Sequence, residues 1–226
     1  MARPAPAFLL GGIVAVVGLA MLVITDASDP FDRAIIDAVR DRDVSNVLAF
    51  LGPVTELGST GAVIVVAMLT FAVGAAIGPW RLGLIGAVTI GLASLGVELV
   101  KSTVARDRPS LLEPIIVEHG FSFPSGHATL SMVAYGVLAV LVSRSRLSPV
   151  LRTAIVFALG VLVVLIGASR VWLGVHFPTD VIAGWITGGV VVVLYASLTR
   201  SVSREPAGAA ADVDPAVPRS GPPAAG

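Results

Sequence analysis

The sequence predicts an all-α polytopic membrane protein of six transmembrane helices. Three observations carry that prediction. Apolar runs of about 18 residues recur six times, long enough for a helix to cross a hydrocarbon core of about 30 Å. Hydrophobic residues make up 55% of the 226 positions and charged residues only 13%, with a mean hydropathy of +0.92. Polar stretches bearing proline and glycine separate the runs. The formal net charge is zero, so no basic footprint for nucleic acid is present. Cysteine is absent, which excludes disulfides, thiolate chemistry and thiolate-held metal.

The spans are expected at about 8–24, 61–77, 82–100, 126–142, 150–171 and 180–198. The first exceeds the roughly 7–15 residues of a signal-peptide core, and no small-x-small cleavage site follows Ala20-Met21-Leu22. It reads as a span, with a signal anchor as the alternative. The fourth is the shortest and extends towards Ser125. The sixth is rich in Val and Ile, yet its length and lack of turn signals favour helix over strand. Scattered Gly and Ala suit helices that pack closely in lipid. Residues 1–200 thus form one membrane domain. From about Ser201, five prolines among Ala, Gly and Ser predict a disordered cytoplasmic tail over 201–226.

Two connections are long, 25–60 and 103–124. In the first, Asp29-Pro30 reads as a helix start. Phe31, Ile35, Ala38 and Val39 then recur at helical spacing. This predicts a short helix, either lying on the membrane surface or packed as an ordinary loop helix. Orientation follows from loop charge. Arg81, Arg144, Arg146, Arg152, Arg200, Arg204, Arg219 and Arg3 fall on one set of loops and termini. The 25–60 loop carries seven acidic residues against three arginines. Both termini are therefore expected in the cytoplasm, with the loops after the first, third and fifth spans facing outward.

That arrangement puts three polar clusters on the outer face. They are K-S-T-V-A-R-D-R-P from Lys101, P-S-G-H from Pro124, and S-R-V-W-L-G-V-H-F-P-T-D from Ser169. Ionisable residues beside a span are costly, and so point to function. Lys101, Arg108 and Arg170 supply three cations, and arginine forks suit phosphate oxygens; snorkelling to lipid headgroups is the alternative for any one of them. Ser125 is a good helix N-cap, and Gly126 lets an anion approach the helix N-terminus. His176 and Asp180 are four residues apart, so a helical turn puts them on one face. The carboxylate could then orient the imidazole for attack, or the pair could merely cap a helix. His119 has no partner at motif spacing and reads as a solvated loop residue.

In this order the clusters resemble the three-part signature of the type-2 phosphatidic acid phosphatase superfamily, the lipid phosphate phosphatases: K-x6-R-P, P-S-G-H and S-R-x5-H-x3-D. All eleven fixed positions are present, and the likeness extends over about 57–198. The resemblance implies a metal-independent phosphatase without cofactor. His176 would be the nucleophile that forms a phosphohistidine, Asp180 its orienting carboxylate, and His127 the general acid and then base. Lys101, Arg108, Ser125, Gly126 and Arg170 would hold the phosphate oxygens. The expected substrate is a membrane lipid phosphate or diphosphate: an isoprenyl diphosphate such as undecaprenyl diphosphate, phosphatidic acid, phosphatidylglycerol phosphate or diacylglycerol pyrophosphate. Compact size and composition tilt slightly towards the isoprenyl carrier. Related haloperoxidases are soluble, which the six spans oppose. A lipid-binding or lipid-translocating protein of the same fold, without catalysis, is the reading from another class.

Overall fold

A computed structural model of the protein describes residues 4–40, 45–109, 118–200 and 202. Eight helices are present among them: α1 Pro4–Ile24, α2 Asp29–Arg40, α3 Ser45–Glu56, α4 Thr60–Ile77, α5 Trp80–Val104, α6 Gly126–Arg144, α7 Pro149–Trp172 and α8 Pro178–Leu198. Six of these, α1 and α4 to α8, are long and apolar enough to cross a membrane. They match the expected spans to within a few residues at each end. The tail expected over 201–226 lies outside the described residues, apart from Val202.

Helix α6 is the axis of the bundle. Its span is 56% buried within the protein, against 6% for α1. Val133, Val137 and Leu141 of α6 pack with Val63 and Val66 of α4, Ile90 of α5, Ile166 of α7 and Tyr195 of α8. Helix α1 lies at the edge, against α8. The interior phenols are satisfied by backbone: Tyr135 donates to Leu57 O at 2.8 Å and Tyr195 to Leu82 O at 3.1 Å. Small residues set the closest approaches, as lipid-embedded interfaces require. A Cβ on Gly83 would strike the Phe71 backbone, joining α4 to α5. A Cβ on Gly184 would lie 3.0 Å from Ser125 O, so α8 seats directly on the start of α6.

The first long connection holds more structure than its sequence suggested. Helix α2 occurs at the Asp29-Pro30 start, but its fully buried positions are Asp32 and Ile36. Phe31 and Ala38 of the expected apolar stripe are exposed, and Ile35 and Val39 are half-buried. A charged side chain takes the inner position because partners await it there. Helix α3 was not expected. It contains Pro53, and packing against α7 holds it as helix.

Candidate active site

The six spans alternate in direction, so the three polar clusters meet at one end of the bundle. Lys101 lies in the last turn of α5, Arg106 and Arg108 in the segment that follows, and Ser125 at the cap of α6. Arg170 closes α7, His176 sits in the turn after it, and Asp180 lies in the first turn of α8.

His176 is 1% exposed and has two different sides. Arg108 Nη1 stands 3.3 Å from its Nε2. A guanidinium can only donate, so Nε2 presents its lone pair and the ring proton belongs on Nδ1. Nδ1 faces Asp180 Oδ2 at 3.4 Å. That approach is long for a hydrogen bond, and Nδ1 makes no other among the described residues. Burial, more than any charge, pushes the His176 pKa down to about 4; Asp180 draws it up, while Arg108 and Arg170 press it further down. The ring is therefore neutral around pH 7, with its unprotonated nitrogen turned towards Arg108.

The cations are held by backbone and hydroxyls. Arg108 donates from Nε to Gly120 O at 2.9 Å, from Nη1 to Val175 O at 3.0 Å and from Nη2 to His119 O at 3.1 Å. Burial lowers its pKa, with Asp180 and Glu98 opposing. Arg170 is 1% exposed and donates from Nη1 to Thr55 Oγ1 of α3 at 2.8 Å. Its buried Nε has no partner among the described residues. The Glu118 carboxylate bridges the two arginines, one oxygen on Arg170 and the other 3.3 Å from Arg108 Nη2. A carboxylate across two guanidiniums has the charge and the spacing of two phosphate oxygens.

The remaining residues lie close by. Lys101 Nζ is 3.8 Å from Glu98 and the same distance from where a Cβ on Gly126 would stand. Lys101 is within electrostatic range of Arg108, Arg170 and Asp180. Ser125 caps α6 through Ala128 N, and its own N–H donates to Asp180 O at 3.0 Å. His127 lies in the first turn of α6. Its ring packs on the turn at Gly58, where a Cβ would come 3.0 Å from it, within electrostatic range of Glu56, Lys101 and Arg108. The His119 side chain is exposed and only its carbonyl is used. Among the described residues no group of three or more His, Asp, Glu or Cys side chains gathers to hold a metal.

Four residues of this end escaped the sequence reading: Thr55, Glu118, Arg106 and Asp32. Arg106 is the most heavily bonded of them. Its Nη1 donates to Asp180 Oδ1 at 2.6 Å and its Nη2 to Asp32 Oδ2 at 2.7 Å. Burial alone would lower its pKa, yet the charges and hydrogen bonds of Asp180 and Asp32 raise it.

A six-span helical membrane protein with arginines, a lysine and a carboxylate-backed histidine at one bundle end is the class defined so far. Residues 82–203 match the PAP2 superfamily, and the chain belongs to that family. It is 34% identical over 123 residues to phosphatidylglycerophosphatase B of Bacillus subtilis, covering 54% of this chain and 60% of that protein. It is 33% identical over 116 residues to an undecaprenyl-diphosphatase of Sulfolobus acidocaldarius, covering 48% of this chain and 50% of that one. The chain thus spans less than two thirds of the length of these two relatives. The fold is similar to the crystal structure of a transmembrane PAP2-type phosphatidylglycerolphosphate phosphatase from Bacillus subtilis, with a TM-score of 0.75 and 27% identity over 87% of this chain and 98% of that one.

Proposed function

We propose that the protein is a membrane phosphatase that hydrolyses a lipid phosphate or diphosphate through a phosphohistidine on His176. The observation that carries this reading is the two-sided environment of His176: Asp180 behind Nδ1 and Arg108 in front of Nε2. In the first step the Nε2 lone pair attacks phosphorus and the bond to the lipid oxygen breaks. His127 protonates that leaving oxygen. In the second, water gives its proton to His127 and attacks phosphorus. The P–N bond then breaks, releasing inorganic phosphate and neutral His176. Arg108 and Arg170, with Lys101, Ser125 and the Gly126 N–H, take the charge on the equatorial oxygens, and Glu118 gives way to them.

The loop charges favour placing this end at the outer face of the membrane, with both termini in the cytoplasm. The substrate would then keep its tail in the bilayer while its headgroup enters the bundle end. The names of the relatives support phosphatidylglycerol phosphate and undecaprenyl diphosphate as the first substrates to try.

The test is phosphate release by purified protein in detergent with EDTA, across undecaprenyl diphosphate, phosphatidic acid and phosphatidylglycerol phosphate. Release is expected from at least one. His176→Ala should lose about 10⁴-fold or more, since removing a nucleophile forfeits the covalent route. Activity retained within about tenfold in that folded variant would remove His176 as nucleophile.

A further inference from the structure

Behind Asp180 lies a second layer of charge, centred on Arg106 and Asp32. Arg106 is committed there completely. Besides Asp180 and Asp32, it donates from Nη1 to Thr179 Oγ1 at 2.9 Å and from Nη2 towards Ser28 Oγ at 3.4 Å. Its guanidinium also stacks over the Phe177 ring at 4.0 Å. Asp32 in turn accepts from Thr179 N at 3.0 Å and from Thr179 Oγ1 at 2.6 Å. Asp32 and Asp180 are both fully buried, and the Arg106 side chain is 9% exposed. Two buried carboxylates share this one cation, and a buried charge is tolerated only when paired and hydrogen bonded.

The consequence for Asp180 is orientational. Arg106 takes Oδ1, and Phe177 N donates to Oδ2 at 2.9 Å. With both anchors in place, the carboxylate cannot rotate away, and Oδ2 stays turned to His176 Nδ1. We infer that Arg106, itself held by Asp32 of α2, is a positioning residue that fixes Asp180 against His176. This rests on the reading of His176 as nucleophile. Arg106 does not hold substrate, because its two outer nitrogens are each bonded to a fully buried carboxylate that takes up its charge.

The experiment uses the full-length protein in detergent and whichever lipid of the phosphate-release panel gives the highest rate. Arg106→Gln and Asp32→Asn should each lower kcat about 10- to 100-fold, the usual loss when an outer partner of a reacting group is removed. KM and inhibition by vanadate should stay within about threefold, because the front of the site is untouched. Arg106→Lys should recover part of the loss. In an Asp180→Asn background, Arg106→Gln should add no more than about threefold, since both act through one carboxylate.

A kcat within threefold of wild type, a rise in KM at constant kcat, or full additivity with Asp180→Asn would each overturn the inference. Should Arg106→Gln lose its monodisperse size-exclusion peak, Asp32→Asn carries the test, being isosteric with the native side chain. The two failures are separable. No release by wild type from any of the three lipids removes the phosphatase reading and this inference with it. Release by wild type and by Arg106→Gln alike removes the inference alone.

Discussion

Arg106 and Arg108 are two residues apart, yet they belong to opposite sides of one imidazole. Arg108, in front, is held by the neutral carbonyls of Gly120, Val175 and His119, with one exchangeable carboxylate, Glu118. Arg106, behind, is bonded to two fully buried carboxylates. A carbonyl steadies a guanidinium without cancelling its charge, whereas a carboxylate neutralises it. On the proposed reading the front keeps positive charge for an incoming anion, and the back keeps its charge for the protein. The same contrast separates Glu118, which is partly exposed, from Asp32, which is fully buried.

The largest expected effect breaks the front. Arg170→Ala should lower kcat/KM about 100- to 1000-fold, the cost of losing one preorganised donor to developing charge. A loss under tenfold would mean that Arg170 serves only to anchor α3 through Thr55. Front-side losses should exceed those of Arg106→Gln; the reverse order would collapse the distinction between the two sides.

Next comes pH. The lowered pKa of His176, about 4, means that Nε2, the proposed nucleophile, stays unprotonated as pH falls through the ordinary histidine range. At pH 5 roughly nine tenths of the ring would still be neutral, against about 3% for a histidine of unperturbed pKa 6.5, a difference of about 30-fold. The acid limb of kcat/KM, corrected for ionisation of the substrate phosphate, should accordingly lie well below pH 6.5. A limb at 6.5 that disappears in no other variant would show a solvated His176.

The smallest effect sharpens the role of Glu118. Glu118→Gln should lower KM, or the inhibition constant of inorganic phosphate, by about two- to fivefold with kcat unchanged, the worth of a partly exposed ion pair. A rise in KM would make Glu118 a support for the arginines and not a stand-in for phosphate.

Much of this molecule could be read from its residues in order. The spans were legible because burial in lipid demands continuous apolar runs, and the front of the site because its residues sit at fixed spacings. The back was not. Arg106 lies inside the K-x6-R-P stretch at a position the pattern leaves open, and Asp32 looks like one more acid on the polar face of a short helix. Their meaning lies in a pairing across 74 residues of chain, which no local period records. Helix α3 was missed for the same reason, since its support comes from α7. His127, by contrast, was found by pattern, and its place against Gly58 gives it a setting quite unlike that of His176.

The carboxylate of Asp32 ties together segments made at very different times. It bonds Arg106 from 74 positions later and Thr179 from 147 positions later. In chain order α2 comes early, Arg106 follows α5 and Thr179 opens α8. The inner charge of α2 finds both partners only when α8, the last helix, is in place. The bonds to Asp32 are therefore complete only in a chain that includes its final span.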